Sequence, residues 1–434
     1  MALVALVALV DCGSSSDGAP TGEQEGGAAD AADAGVEGDA HVGLTVRGTV
    51  VDDTSNLVNG AGVMLDGDPS RVVTTGSAGT FEFADVTAPY TLTVKAGTEL
   101  VEYRGLSRTR PQLPASGSGA RYVAKLAGNV KSPAFPIPAD QRLLLAATKG
   151  VVAFDFAIPT GAYDLAFQWA GSASVVVDLV ALHVSIAVPG SIITSYWQTG
   201  TLPAVSLTNG SHQTGLDLSL STPVSVAKTT LDYDPGAYSV GAGGSYLMVD
   251  AQGARFLAAA LGATIPSGTE LLLPADGATL TVSGSDADGN AAWRIGAAVL
   301  AGTTTLDLPV NTLLANGAPA KGAVGVSKTP TLSWTPVKGA DFYAVYVKKI
   351  GALAYFLRVP GTSASVTLPD YTALGLPLQG NTTYTWQVIA FEASGVSVDS
   401  MTDPATAAFL TVGMYRARSM SQYSTASTTF TTAP

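Results

Sequence analysis

The side chains that could carry acid–base, nucleophilic or metal chemistry are few and scattered in this sequence of 434 residues. Its three histidines, His41, His183 and His212, lie far apart, and it contains no His-Glu-x-x-His or Gly-x-Ser-x-Gly pattern and no Gly-Lys pair. Those patterns are typical of zinc proteases, serine hydrolases and phosphate-binding loops. We therefore predict no catalytic residue, no metal site and no cofactor.

One acidic segment, Asp286-Ala287-Asp288-Gly289-Asn290, has carboxylates close enough in sequence to suggest calcium binding. An EF-hand loop requires glycine at its sixth position and glutamate at its twelfth. Counted from Asp286, these positions are Ala291 and Ala297, so we interpret the segment as a turn. The paired carboxylates of glycoside hydrolases have no short motif. Because charged residues make up only 13% of the chain, there are few places for such a pair.

Two interpretations of the adjacent aromatic residues Tyr196 and Trp197 are open. If both are exposed on a loop, they form a platform on which the rings of a polysaccharide can stack. If they belong to a strand at a junction between domains, they are packing residues. Three other tryptophans follow the apolar alternation around them and are predicted to lie in cores: Trp169, Trp334 and Trp386.

Two groups of polar residues are predicted to be exposed. His183 lies in an alternating segment in which Leu182 and Val184 occupy the apolar face, so its side chain belongs to the polar face. Three arginines lie shortly before two prolines, and we interpret this segment as a solvated loop. The arginines are Arg104, Arg108 and Arg110.

The first ten residues form an unbroken apolar run that fits the hydrophobic part of a signal peptide. A bilayer-spanning helix needs about 20 residues, so this run is too short to be one. The segment Leu9-Val10-Asp11-Cys12 resembles the lipobox of bacterial lipoproteins, with Asp11 where that family has a small residue. The resemblance implies that residues 1–12 are a signal peptide and lipobox and that Cys12 carries the lipid. It also implies a location in the outer membrane or at the cell surface, with secretion as the alternative.

Residues 13–41 have the composition of a disordered acidic tether, since they are mostly glycine, serine, alanine and acidic residues with no aromatic side chain. Such a segment buries too little apolar surface to fold. Eight of the chain's 34 acidic residues and none of its 22 lysines and arginines fall in the first 40 positions, so much of the net charge of −12 belongs to the tether. Nucleic acid is excluded as a partner, because phosphate binding requires basic surface.

Beyond residue 42, polar and apolar residues alternate, with frequent glycine, proline, asparagine and aspartate. This pattern is typical of half-buried strands and tight turns, and it predicts an all-β fold of tandem β-sandwiches. Only Arg255–Leu261 is a candidate helix. An ungapped match at an offset of 73 residues, in which Phe81 and Tyr90 correspond to Phe154 and Tyr163, predicts that a sandwich is repeated.

Four segments match the pattern of one family: Val46-Arg47-Gly48-Thr49-Val50-Val51-Asp52, Gly60-Ala61-Gly62-Val63-Met64-Leu65, Thr74-Thr75-Gly76-Ser77-Ala78-Gly79-Thr80-Phe81-Glu82-Phe83 and Tyr90-Thr91-Leu92-Thr93-Val94. They resemble the carboxypeptidase regulatory-like domain, a prealbumin-like sandwich that has no peptidase site. The resemblance implies such a sandwich over residues 42–126. The ungapped match at an offset of 73 residues implies a second prealbumin-like sandwich over residues 127–200. Residues 201–320 then remain as a degenerate β-sandwich region.

Three later segments match another family: Thr329-Pro330-Thr331-Leu332-Ser333-Trp334, Asp341-Phe342-Tyr343-Ala344-Val345 and Asn381-Thr382-Thr383-Tyr384-Thr385-Trp386. They resemble the fibronectin type III domain, and the resemblance implies such a domain over residues 321–434. Tyr384 would be its tyrosine-corner residue. Positions 396–420 exceed the length that is usual in this family and predict an extended loop. The residues implied to face the core are Tyr343, Val345, Trp386 and Val388.

These features favour a non-enzymatic lipoprotein in which an anchor and a tether carry a rod of β-sandwiches used for adhesion or as a scaffold. Its expected partners are the membrane, through the lipid, and a polysaccharide or surface protein. The first alternative is a carbohydrate-binding protein of the cell envelope with Tyr196 and Trp197 in its site. The second is an extracellular hydrolase whose site lies in residues 201–320.

Overall fold

The structure is a computed structural model that describes residues 43–116, 122–132, 137–138, 140–148, 156–157, 161–169, 173–187, 192–234, 245–261, 268–275, 277–285, 290–299, 302–307, 314–349, 354–393, 396–403 and 420–434. Over these residues the fold is all-β, as predicted, with two short 3₁₀ helices at Tyr371–Leu374 and Ser400–Thr402. No helix in the described ranges has the length and apolar character to span a membrane. The predictions on Cys12, on the tether and on residues 286–289 lie outside the described residues.

The first sandwich is formed by the following strands: β1 Leu44–Val51, β2 Gly62–Leu65, β3 Val72–Thr74, β4 Thr80–Val86, β5 Tyr90–Ala96, β6 Glu99–Leu106 and β7 Gln112–Pro114. They form two sheets with the orders β4-β1-β7 and β6-β5-β2-β3. Phe81 and Phe83 lie in the core between the sheets, as predicted. Gly79, with φ of 62°, permits the turn between β3 in one sheet and β4 in the other.

The second sandwich is formed by the following strands: β8 Tyr122–Lys131, β9 Gln141–Ala147, β10 Phe156–Ala157, β11 Ala162–Trp169, β12 Ser174–Ala187, β13 Ile192–Thr208, β14 His212–Gln213, β15 Leu218–Ser219 and β16 Thr222–Pro223. One sheet has the order β10-β9-β12-β13-β16, and in the other β8 pairs with β11, β14 and β15. Trp169 is buried between them, as predicted. Because β13 pairs with β12 across position 200 and then with β16, this unit runs over residues 122–223 rather than 127–200.

The predicted repeat of the first sandwich is wrong in its strand pairing. Strand β4, which contains Phe81, pairs with β1. The corresponding strand β10 pairs with β9, and the first strand of the second sandwich, β8, pairs with β11. Phe154 itself lies outside the described residues. The match in sequence therefore reflects a similar local strand pattern rather than a shared topology.

The third region is formed by the following strands: β17 Val226–Asp234, β18 Ser245–Ala251, β19 Ala254–Leu261, β20 Thr269–Pro274, β21 Ala278–Ser285, β22 Ala291–Val299 and β23 Gly302–Asp307. Strand β17 lies between β20 and β23, and the other four form the order β19-β18-β21-β22. The candidate helix at Arg255–Leu261 does not form, because these residues belong to β19. A turn at Gln252 and Gly253, both with positive φ, folds β19 back onto β18.

The last sandwich is formed by the following strands: β24 Ala323–Val326, β25 Thr331–Ser333, β26 Phe342–Lys349, β27 Ala354–Pro360, β28 Ser365–Thr367, β29 Thr383–Glu392, β30 Met420–Ser424 and β31 Thr428–Thr432. Tyr384 Oη accepts a hydrogen bond from the backbone N–H of Gln379 at 2.8 Å, which is the arrangement of a tyrosine corner. The predicted loop over 396–420 is described only at 396–403. The residues expected to face the core are buried: Tyr343, Val345, Trp386, Val388 and Trp334.

The first and last sandwiches share a sheet. Strand β6 pairs in parallel with β27, from Glu99 opposite Ala354 to Tyr103 opposite Arg358. The third region joins the same sheet, because β22 pairs with β30. The expectation of a rod is therefore wrong at this point, since the first sandwich packs against the last one rather than lying at the far end of a line of domains.

Candidate functional site

The structure separates the two aromatic residues of the predicted platform. Both lie in β13, where successive side chains point to opposite faces of the sheet. Tyr196 is 8% exposed and belongs to a hydrophobic core, whereas Trp197 is 49% exposed. An exposed pair does not form, because these residues lie in a strand and not in a loop. Trp197 alone offers an aromatic face to solvent.

A β-bulge sets the direction of Trp197. His183 lies opposite Gln198, and the next residue, Val184, lies opposite Tyr196. Trp197 is therefore the extra residue of β13, with no partner across the ladder. Bulges bend a strand and redirect the side chain that they carry.

One hydrogen bond and one ring contact hold the indole ring at this bulge. Trp197 Nε1 donates to Ser185 Oγ at 2.9 Å. The ring centroids of Trp197 and His183 lie 6.3 Å apart, and His183 Nε2 lies 2.7 Å from Gln141 Oε1. We call these four residues, Trp197, Ser185, His183 and Gln141, the tryptophan patch. Its polar members support the indole, while about half of the tryptophan side chain stays exposed.

His183 is 3% exposed, so the prediction of an exposed residue is wrong. Strand β12 lies between β9 and β13, and both of its faces are covered: Leu182 and Val184 belong to one core and Ala181 to another. Burial lowers the pKa of His183, because the charged imidazolium loses more hydration than the neutral ring. His183 is therefore neutral at pH 7.

The lowered pKa predicts that acid weakens the fold. Below about pH 6.5, the unfolded chain binds a proton at position 183 that the folded chain does not bind, so the free energy of unfolding falls as the pH falls. For one residue this slope is at most about 1.4 kcal/mol per pH unit. Urea unfolding from about pH 8 to pH 5 should show it for the wild type and a smaller slope for His183→Gln. Equal slopes for the two proteins would contradict the assignment.

Sequence reasoning missed the contact between the first and last sandwiches, which we call the clasp. At its centre Glu102 is 0% exposed, on the face of β6 that points away from the core of the first sandwich. Its Oε2 accepts hydrogen bonds from Tyr371 Oη at 2.8 Å and from Thr93 Oγ1 at 3.2 Å, and its Oε1 forms an ion pair with Arg104. Burial and the charge of Glu102 raise the pKa of Tyr371 well above its usual value, so this hydroxyl remains a donor.

Two of the arginines predicted to be solvated bind the last sandwich. Arg104 donates to the carbonyl oxygen of Thr367 at 2.7 Å. Arg108 pairs with Asp399 at 3.2 Å and with Asp403 at 3.3 Å, both in the segment 396–403 that follows β29. The prediction of a solvated loop is therefore wrong for both arginines, because residues distant in sequence cover them.

Apolar packing on both faces of the shared sheet completes the clasp. Met64 and Leu100, from the outer face of the first sandwich, lie in the same core as Tyr371. On the opposite face, Phe342 and Met401 of the last sandwich join the core of the first. Each unit thus buries a surface that it would expose if it stood alone.

A cleft of about 500 Å³ opens beside the start of β6, and its lining includes Asp52, Asp53 and Glu99. The Asp52 carboxylate accepts hydrogen bonds from the backbone N–H groups of Thr54 and Asn56 at 2.9 and 2.8 Å, so it stabilises its own loop. In the part of the chain that the structure describes, no three His, Cys, Asp or Glu side chains form a group that could hold a metal ion.

No protein-family model matches the sequence, and a search of curated proteins finds no match. Among solved structures, the chain is similar to the Bacillus anthracis TIE protein, with 10% identity over 61% of this chain and 50% of that one and a TM-score of 0.16. It is similar to a proposed carbohydrate-binding protein of Bacteroides uniformis (14% identity, 47% of this chain, 97% of that one, TM-score 0.18). It is also similar to the FN1–FN3 domains of chicken CNTN1, with 10% identity over 73% of this chain and 89% of that one and a TM-score of 0.14. The chain spans half the length of the first of these, and similarities at such TM-scores carry no argument about function.

Proposed function

We propose that this chain is a non-enzymatic cell-surface protein that serves in adhesion or as a scaffold and is anchored through a lipid on Cys12. The observation that supports the proposal is the clasp, which joins the first and last sandwiches through one sheet and a buried ion pair. Domains joined only by linkers move relative to one another. A clasped body instead holds its binding surfaces in a fixed arrangement, as adhesion or a scaffold requires.

Co-sedimentation with envelope material tests this role. The full chain with Cys12→Ser, which can be handled without lipid, would be mixed with intact bacterial cells and with isolated polysaccharide and protein fractions of the envelope. We expect saturable binding to at least one fraction, and weaker binding when the clasp is disrupted by Glu102→Ala. Recovery of the protein in every supernatant would contradict the proposal.

The anchor has its own test. In the wild type, acyl chains supply about 0.8 kcal/mol of membrane affinity per buried CH₂ group, and more than one chain is needed for stable attachment. We expect Cys12→Ser to move the protein from the membrane fraction to the soluble fraction without changing the unfolding of the sandwiches. Labelling with a fatty-acid analogue should mark the wild type and not the variant. An unlabelled wild type would favour secretion instead.

Carbohydrate binding is the second candidate function, and the exposure of Trp197 favours it. An indole face that is held in place and open to solvent can stack on a sugar ring. The ring is fixed through Ser185 and stays 49% exposed, although burial would be the favourable state for so large an apolar side chain. The two functions are compatible, because an adhesion protein can recognise its surface through a sugar.

A further inference from the structure

The tryptophan patch lies beside the edge of its sheet. Strand β16 is the last strand after β13, with Thr222 opposite Thr199 and Pro223 opposite Gln198. Both β16 residues are exposed. The backbone N–H that follows them, at Val224, donates to the carbonyl oxygen of Trp197 at 3.2 Å. The exposed indole is therefore bordered by a short, exposed strand that carries one hydroxyl side chain.

The polar groups of the patch are uncharged at neutral pH. They are the hydroxyl of Ser185, the amide of Gln141 and the neutral ring of His183. The charged residues next to Gln141 in sequence are Asp140 and Arg142, which have opposite signs. The Arg142 guanidinium donates to the backbone carbonyl of Gln141 at 2.6 Å.

This set of groups discriminates between classes of sugar. A neutral pyranose has an apolar face of C–H groups, which the negative face of an indole attracts, and hydroxyls that suit neutral partners. A uronic acid or a sulfated sugar would need a cation to offset the desolvation of its charge. The four residues of the patch carry no cation, and the nearby guanidinium of Arg142 already donates to the backbone carbonyl of Gln141, so the patch itself provides no such offset.

We propose that the tryptophan patch binds a neutral pyranose of a polysaccharide, stacked on the exposed face of Trp197. Ser185, with the His183–Gln141 pair next to it, acts as a positioning residue that fixes the plane of the indole before the sugar arrives. This inference rests on the second candidate function and specifies its ligand class.

Affinity electrophoresis of the full chain with Cys12→Ser tests the ligand class. The gels would contain a neutral β-glucan (hydroxyethyl cellulose or laminarin) or an acidic polymer (polygalacturonate or hyaluronate). We expect retardation by a neutral polymer and none by the acidic ones. Trp197→Ala should weaken the binding at least tenfold, and Trp197→Phe should retain part of it. Val176→Ala, which changes a residue 48% exposed on the neighbouring strand β12, is the matched control and should bind like the wild type.

To test the positioning role of Ser185, a change in affinity must be separated from a change in the stability of the fold. Ser185→Ala removes the acceptor of the indole N–H, so we expect the affinity for the neutral polymer to fall about threefold at a temperature at which the variant is fully folded, and Ser185→Thr to restore it. An affinity that Ser185→Ala leaves unchanged would overturn the positioning role.

Three results would overturn the ligand class: equal or tighter binding of the acidic polymers, undiminished binding by Trp197→Ala, or retardation by no polymer. Co-sedimentation with envelope fractions then separates this inference from the proposed function. If envelope binding persists without binding of neutral sugars, only the ligand class is wrong. If envelope binding is absent as well, the surface-binding function fails too.

Discussion

Replacing Glu102 with alanine should lower the free energy of unfolding of the clasped sandwiches by about 3 kcal/mol, because removing one partner of a buried ion pair leaves the other charge uncompensated. Arg104 would lose its carboxylate, and the hydroxyls of Tyr371 and Thr93 would lose their acceptor. The expected loss lies at the lower end of the range for such pairs, since 27% of the Arg104 side chain is exposed and keeps part of its hydration. Chemical unfolding followed by near-ultraviolet circular dichroism measures this loss.

A matched control comes from an exposed ion pair in the same sandwich. Arg47 and Glu82 lie 2.9 Å apart, but their side chains are 65% and 53% exposed. Such pairs contribute little, because water solvates both charges in either state. Glu82→Ala should therefore unfold like the wild type, and Glu102→Gln, which keeps an acceptor but not the charge, should lie between. Equal stabilities of Glu102→Ala and Glu82→Ala would rule out an energetic role for the buried pair.

Phe342→Ala is expected to cost about 3–5 kcal/mol, which is typical of truncating a fully buried phenylalanine. Phe342 is 0% exposed, and its ring stacks on that of Phe391 with the centroids 4.5 Å apart. Although it belongs to the last sandwich, it packs in the core of the first, with Leu92 and Tyr103. The cavity should therefore destabilise both units together. Hydrogen exchange should then be accelerated in peptides from the first sandwich as well as in peptides from the last one.

Two further variants serve as a control and as a partial rescue in this experiment. Val324→Ala, at a position 79% exposed in the same sandwich, should leave both units unchanged. Phe342→Leu should recover part of the loss, because it fills part of the cavity. If Phe342→Ala accelerates exchange in the last sandwich and leaves that of the first unchanged, the two units are not coupled through this core.

The last sandwich could be predicted from the sequence because its signals are local. Tyr343 and Val345 occupy alternate positions along β26, as Trp386 and Val388 do along β29, and all four are buried. Tyr384 precedes Trp386 by two residues, on the same face, and its hydroxyl reaches back only to Gln379. Alternation and short-range hydrogen bonds of this kind depend little on the rest of the chain.

The clasp could not be predicted from the alternation of polar and apolar residues, although the sequence contains a partial signal for it. Val63-Met64-Leu65 and Leu100-Val101 are uninterrupted apolar runs, typical of strands covered on both faces. Glu102 interrupts the second run and suggests exposure, because carboxylates are rarely buried without a partner. Its partner Tyr371 lies 269 residues away, and no local pattern specifies that contact.

The tryptophan patch was predictable in part. The sequence identifies Trp197 as an aromatic residue outside the regular packing. It does not show that Tyr196, at the adjacent position of the same strand, points to the opposite face. Alternation places His183 on the face opposite Leu182 and Val184, as the structure shows. It does not reveal that this face is covered, because β12 lies inside a sheet that is covered on both sides. A β-bulge, which sets the direction of Trp197, has no signature in the residues that form it here.

Hydrogen exchange in strands β6 and β27 tests the clasp most directly, because without it β27 would be an edge strand of the last sandwich, paired with β26 on one side only. We expect slow exchange in peptides covering 99–106 and 354–360 of the wild type. In Glu102→Ala, exchange in both peptides should be accelerated by the same factor, while β29 stays protected by β26. Rapid exchange of 354–360 in the wild type, or loss of protection in only one of the two strands, would contradict the account.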